Sequence, residues 1–76
     1  MYSQTDLAMD LDKTLARGFD VFRISKVAFE IYRDHGLEIT APMDRVLLTL
    51  MAMEDGAEFE LTEPEFLALI SEIKAM

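Results

Sequence analysis

The sequence predicts an all-α fold, a compact bundle of four short helices within one domain that spans residues 1–76. Four segments carry apolar residues at three- and four-residue spacing, which is the period of an amphipathic helix. A Ser, Thr or Asp stands before each segment, where such residues cap helices, and Gly or Pro residues separate the segments. Hydrophobic residues make up 51% of the chain, which argues against disorder because disordered chains lack that much apolar content.

The first helix is predicted over residues 5–17. Leucines recur there every four residues, at Leu7, Leu11 and Leu15. Ser3 or Thr5 can cap the N-terminus of this helix. Gly18 is expected to end or kink it, because glycine is common just past the last turn of a helix.

The second helix is predicted over residues 20–34, with Asp20 as its cap and Gly36 as its stop. It is apolar on more than one side, with one row formed by Val21, Ile24, Ala28 and Ile31 and another by Phe22 and Phe29. A helix that is apolar over most of its circumference is usually a central one, so we expect the other helices to pack around this segment. In an alternative interpretation, residues 19–24 form a short strand and Ser25 caps a shorter helix.

The third and fourth helices are predicted over residues 41–53 and 63–75. The triplets that precede them, 37–39 and 59–61, alternate apolar and polar residues, as a strand does. A minimal two-stranded bridge between the two triplets is therefore an additional feature that the pattern allows.

Residues 38–42 resemble residues 60–64, since each segment reads Glu, an aliphatic residue, Thr, one further residue and Pro. In both, the Thr is a natural N-cap and the Pro falls in the first helical turn. Glu65 stands three residues after Thr62 and completes a capping box. These start signals are common, so we interpret the similarity as convergence, although a true internal repeat stays open.

The distribution of charge argues against direct binding to nucleic acid or membranes. The net charge is −8, and the last predicted helix opens with Glu63 and Glu65, which phosphates would repel. No apolar run approaches the roughly 20 residues that a membrane span needs. The acidic start of the chain is unlike a secretory signal, and the absence of cysteine suits a reducing compartment. We therefore expect a cytoplasmic protein.

No arrangement of residues indicates catalysis, a cofactor, a metal or a small-molecule substrate. His35 is the only histidine and the chain has no cysteine, so no pair of nitrogen or sulfur ligands can form. The acidic segment 54–65 invites comparison with a calcium loop. It places Gly56 at an early ligand position and Phe59 where the sharp turn requires glycine. We therefore expect a protein that is not an enzyme.

The apolar surplus of a small domain without disulfides favours an interaction module, because such surfaces are often covered by a partner. We expect an adaptor, assembly factor or chaperone that binds another protein or forms a homodimer, with Leu48 and Met51 as the apolar contact residues. An alternative is an acidic inhibitor or nucleic-acid mimic that covers a basic site on a partner. Its contact residues would be acidic, namely Glu54, Asp55, Glu58, Glu60, Glu63 and Glu65.

Overall fold

A computed structural model describes residues 1–76 and confirms the all-α prediction, with four helices and no strand. The helices are α1 (Gln4–Leu15), α2 (Val21–His35), α3 (Ala41–Met51) and α4 (Glu63–Ala75), with two 3₁₀ turns at Ala52–Asp55 and Ala57–Phe59 between α3 and α4. The predicted third helix thus ends two residues early, because the chain tightens into the first of these turns. None of the helices is both long enough and apolar enough to cross a membrane.

Each helix begins at a residue whose side chain caps it. The caps are Ser3, Asp20, Thr40 and Thr62. The Asp20 carboxylate accepts from the backbone N–H of Phe22 at 2.9 Å, which places residues 21–24 in a helix and rules out the strand alternative. The predicted capping box of α4 is present, since Thr62 accepts from the Glu65 N–H at 3.3 Å and donates its own N–H to the Glu65 carboxylate at 2.8 Å.

The two-stranded bridge between 37–39 and 59–61 is absent. The first triplet belongs to the turn after α2, where the Glu38 N–H donates to the His35 carbonyl at 3.0 Å. The second begins at the end of a 3₁₀ turn, where the Phe59 N–H donates to the Gly56 carbonyl at 3.0 Å. Local turn hydrogen bonds therefore use the backbone groups that a strand pair would need.

The four helices pack as two pairs around one core. α2 and α3 form a helical hairpin joined by the short connection 36–40, and α4 packs chiefly against α1. Gly18 adopts φ +102° between α1 and α2, a left-handed conformation that favours glycine. The core contains fifteen buried apolar residues, led by Leu7, Leu11, Ile24, Met43, Leu47, Leu50, Met53, Phe66 and Ile73.

The expectation that all the other helices pack around α2 is wrong in two respects. α2 contacts α1, α3 and the first 3₁₀ turn, but α4 makes its main contact with α1. The row of Ile24, Ala28 and Ile31 is buried, whereas Phe22 and Phe29 are 71% and 54% exposed. A domain this small has too few elements to surround one helix completely, so one side of α2 remains open to solvent.

Candidate interaction surface

The open side of α2 carries aromatic and basic residues in alternation. Phe22, Lys26, Phe29 and Arg33 are spaced by four, three and four residues, so they lie in one row along the helix. All four are exposed. Phenylalanine is more often buried than exposed at this level, so two exposed phenylalanines on one helix face are an informative feature of the molecule.

Two contacts set how α3 lies beside this row. The Ser25 hydroxyl, which is buried, donates to the Met51 backbone carbonyl at 3.0 Å. Seven residues after Ser25 on α2 and seven residues before Met51 on α3, the Asp44 carboxylate faces the Tyr32 hydroxyl. Hydrogen bonding and charge from Asp44 raise the pKa of Tyr32. These contacts hold α2 and α3 antiparallel with a defined register.

This register brings Leu48 beside Phe29. Phe29 lies between Ser25 and Tyr32 along α2, and Leu48 lies between Asp44 and Met51 along α3. Both side chains point away from the core, with Leu48 47% exposed. Helix positions three and four residues apart share a face, so Phe29 and Leu48 flank the outer side of the same helix–helix contact.

We call this surface the aromatic–basic face and define it by its exposed residues, which are Phe22, Lys26, Phe29 and Arg33 of α2 with Arg45 and Leu48 of α3. A shallow cleft of about 380 Å³ opens on it, lined by Phe22, Ser25, Lys26, Phe29 and Glu54. The face thus combines exposed apolar side chains, a depression beside two of them and several cations.

The cations of this face differ in how far they are already paired. Arg33 donates to the neighbouring Asp34 carboxylate at 2.9 Å, and this contact raises the pKa of Arg33. Lys26 and Arg45 make no salt bridge in the structure. These two side chains are therefore free to pair with charges on a bound molecule.

The two apolar contact residues predicted from the sequence occupy different positions. Leu48 lies on the aromatic–basic face. Met51 is half-buried and packs against the core, so it lies below the face rather than on it. The contact role predicted for each of them stays a prediction.

The six acidic residues predicted as an alternative contact surface are all exposed. Five of them lie in the two 3₁₀ turns and the first turn of α4, and Glu60 directly follows the second 3₁₀ turn. None of the six makes a salt bridge. The Glu65 carboxylate is occupied by the capping box, and its hydrogen bond from the Thr62 backbone N–H lowers the pKa of Glu65. Five carboxylates, Glu54 to Glu63, are thus left facing solvent without a partner.

The single histidine belongs to a structural cluster at the other end of α2. The His35 ring stacks on Tyr2 with centroids 4.3 Å apart, and Glu38 accepts from the Tyr2 N–H at 2.6 Å. The Tyr2 hydroxyl donates to Asp10 at 2.6 Å, and burial together with this bond raises the pKa of Tyr2. These contacts tie the N-terminus to the turn after α2. No group of three or more His, Cys, Asp or Glu side chains is placed to hold a metal ion.

Sequence reasoning did not identify Phe22 and Phe29 as surface residues, although the signal was present. Lys26 and Arg33 lie in the same helical row as the two phenylalanines, whereas the row of Ile24, Ala28 and Ile31 contains no charge. Charged residues are almost never fully buried without a partner. A row that mixes phenylalanine with lysine and arginine is therefore exposed in preference to one that is wholly apolar.

Comparison of the chain with known protein families, with characterised proteins and with solved structures finds no match.

Proposed function

We propose that this protein is a small helical interaction module that binds a protein partner or a second copy of itself through its exposed apolar helix surface. The observation that carries the proposal is the exposure of Phe22, Phe29 and Leu48 on one face of the α2–α3 hairpin. Single exposed apolar residues are normal on soluble proteins, but a contiguous group beside a cleft marks an interaction site.

The positions of these residues support binding rather than folding as their role. The core is filled by other residues, and no exposed member of the face belongs to it. Phenylalanine and leucine on rigid helices lose little conformational entropy on binding, because their backbone is already ordered. The face thus offers apolar contact area without an additional folding step.

The proposal is tested by selection from a displayed library of helical peptides with varied sequence, together with sedimentation velocity on the free protein. We expect enrichment of peptides with an apolar face, self-association, or both. Leu48→Glu and Phe29→Glu should abolish both the peptide enrichment and the self-association, because each places a charge within the apolar contact.

Leu67→Glu is the matched control for Leu48→Glu. Leu67 is 45% exposed against 47% for Leu48, but it lies on α4, whose main packing partner is α1. Leu67→Glu should leave binding unchanged. A monomer that enriches no peptide, or equal loss of binding in the Leu67 and Leu48 variants, would overturn the proposal.

A second candidate function, an acidic inhibitor or nucleic-acid mimic, is favoured by the five unpaired carboxylates between Glu54 and Glu63. Complementary charge speeds such an encounter and selects its partner. Association of this kind would weaken steeply between low and high salt, because exposed charges are screened within about 8 Å at physiological ionic strength. It would also persist in Leu48→Glu and be weakened by Glu58→Gln and Glu60→Gln, which is the reverse of the pattern expected for apolar docking.

A further inference from the structure

We infer that the aromatic–basic face takes an acidic amphipathic helix from a different protein, bound over the cleft beside Phe22 and Phe29 and across the outer side of the α2–α3 contact. The inference rests on the proposed function and deepens it by naming the chemistry of the partner. It depends on the spacing of the apolar residues of the face, on the sign of its unpaired charges and on the position of Glu54, the one carboxylate that lines the cleft.

The apolar residues have the spacing of a helix-binding groove. Phe22 and Phe29 are seven residues apart on α2, which corresponds to about 10.5 Å along the axis. A helix that lies along the groove presents side chains at i, i+3 or i+4, and i+7 over the same distance. Leu48 lies outside the lining of the cleft, on α3 at about the level of Phe29. A ligand that extends beyond the cleft would therefore meet α2 on one flank and α3 on the other.

The length of the two helices suits a short ligand helix. α2 has 15 residues and α3 has 11, so at about 1.5 Å per residue they provide roughly 16–22 Å of surface. A ligand helix of about 11–15 residues would cover this length. A segment of that size is marginally stable alone, so it would gain order from docking.

The charges of the face select an acidic ligand. The whole chain has a net charge of −8, yet Lys26 and Arg45 border the face without salt bridges. Carboxylates that flank the apolar stripe of the ligand would pair with these cations, whereas lysines at the same positions would be repelled. Glu54 is the one carboxylate that lines the cleft, beside Phe22 and Lys26, so the acids of the ligand should gather toward Phe29 and Arg45.

A second copy of this chain fits the face less well than a different protein does. In a two-fold dimer the same surface meets itself, so Lys26, Arg33 and Arg45 of one copy would oppose the same cations of the other. The acidic helix α4 cannot serve as the ligand either. Its apolar residues Phe66, Ile70 and Ile73 are buried in its own core.

The test uses three synthetic helical peptides of about 18 residues with identical apolar positions at i, i+4, i+7 and i+11. Their flanking positions carry Glu in one peptide, Gln in the second and Lys in the third. Binding to the full chain is measured by fluorescence anisotropy at about 50 mM and about 500 mM salt. We expect the Glu peptide to bind at least about tenfold more tightly than the Lys peptide at low salt, with a smaller ratio at high salt.

Substitutions in the protein test whether the aromatic–basic face causes the preference for the Glu peptide. Lys26→Glu should reduce or reverse the preference for the Glu peptide, because it inverts the charge beside Phe22 and Phe29. The matched control is Lys13→Glu, which changes an exposed lysine of α1 that also lacks a salt bridge. It should leave the preference unchanged.

The outcomes separate this inference from the proposed function. Equal affinity for all three peptides, lost in Phe29→Glu, would overturn the charge preference while supporting apolar docking. A dimer that depends on Phe29 and excludes the peptides would identify a second copy as the occupant and would also overturn the inference. Failure of all three peptides to bind overturns it as well, and the library selection and sedimentation then decide whether the proposed function stands.

Discussion

The aromatic–basic face and the acidic segment 54–65 are both exposed, but they are built differently. The face lies on two long helices whose contact is held by the buried hydrogen bond from Ser25 to the Met51 carbonyl. The acidic segment consists of parts of two short 3₁₀ turns, the connection after them and the start of α4. Backbone bonds in its turns, such as Glu60 N–H to the Ala57 carbonyl at 3.2 Å, are local. The face presents its side chains at fixed spacing, whereas the segment contributes charge without a comparable framework.

This difference matters because shape and charge serve binding in different ways. Apolar side chains in a defined arrangement determine how tightly a complementary surface is held. Exposed charges chiefly affect the rate of encounter and the choice of partner, and salt weakens them. We therefore propose the docking role for the face. The acidic segment reaches the cleft only through Glu54, so it would direct the acidic side chains of a ligand away from that end of the face.

The strongest test of the comparison contrasts two phenylalanines. Phe66 is fully buried, whereas Phe22 is 71% exposed. Phe66→Ala should destabilise the fold by about 3–5 kcal/mol through the cavity that it leaves. Phe22→Ala should change the free energy of unfolding by no more than about 0.5 kcal/mol. Urea unfolding followed by circular dichroism measures both, with Phe66→Leu as the milder variant if Phe66→Ala does not fold. Similar destabilisation by Phe22→Ala would assign Phe22 to folding rather than to binding.

A smaller loss of stability is expected when the helix cap at the junction of the acidic segment with α4 is removed. Thr62→Ala removes the acceptor for the Glu65 N–H and should cost about 1 kcal/mol. Thr5→Ala, an exposed change within α1, is the control and should alter stability by less than about 0.5 kcal/mol. Thermal unfolding would show the difference as a lower melting temperature in Thr62→Ala alone. Equal melting temperatures would mean that the cap contributes nothing to this fold.

The next prediction concerns the stability of the fold at acidic pH. Backbone hydrogen bonds from Tyr2 and Thr62 lower the pKa values of Glu38 and Glu65 in the folded protein. A carboxyl group with a lowered folded pKa stabilises the fold above its unfolded pKa of about 4.3, and that contribution is lost as the pH falls through the folded pKa. The urea midpoint should therefore fall as the pH is lowered below about 4.3. Glu38→Gln combined with Glu65→Gln should flatten this fall, whereas Glu58→Gln should leave its slope as in the wild type.

The smallest change in stability is expected when the exposed carboxylates themselves are substituted. Glu58→Gln and Glu60→Gln should each change the free energy of unfolding by less than about 0.5 kcal/mol, because both side chains lack a salt bridge and are solvated. The same variants should retain full binding of the acidic peptide. A clear loss of stability or binding in either variant would show that the segment has a specific partner within the fold or on the ligand.

The sequence by itself determined the helices and most of their boundaries, because the signals involved are local. Asp20, Thr40 and Thr62 each cap the helix that was predicted to follow, and α4 spans the predicted residues Glu63–Ala75. The capping box at Thr62 and Glu65 could be derived from two residues three positions apart. Such features depend on neighbouring backbone groups and are insensitive to the remainder of the chain.

Only the tertiary structure decided which side of α2 is covered and which is left open. The buried row of Ile24, Ala28 and Ile31 and the exposed pair Phe22 and Phe29 are both apolar. Lys26 and Arg33 favour exposure of the second row, but they do not determine whether another helix packs on it. The choice depends on where α1 and α3 lie, and a 76-residue chain has too few helices to cover both sides. The aromatic–basic face exists because core packing takes the wholly apolar row and leaves the row that contains Lys26 and Arg33 to solvent.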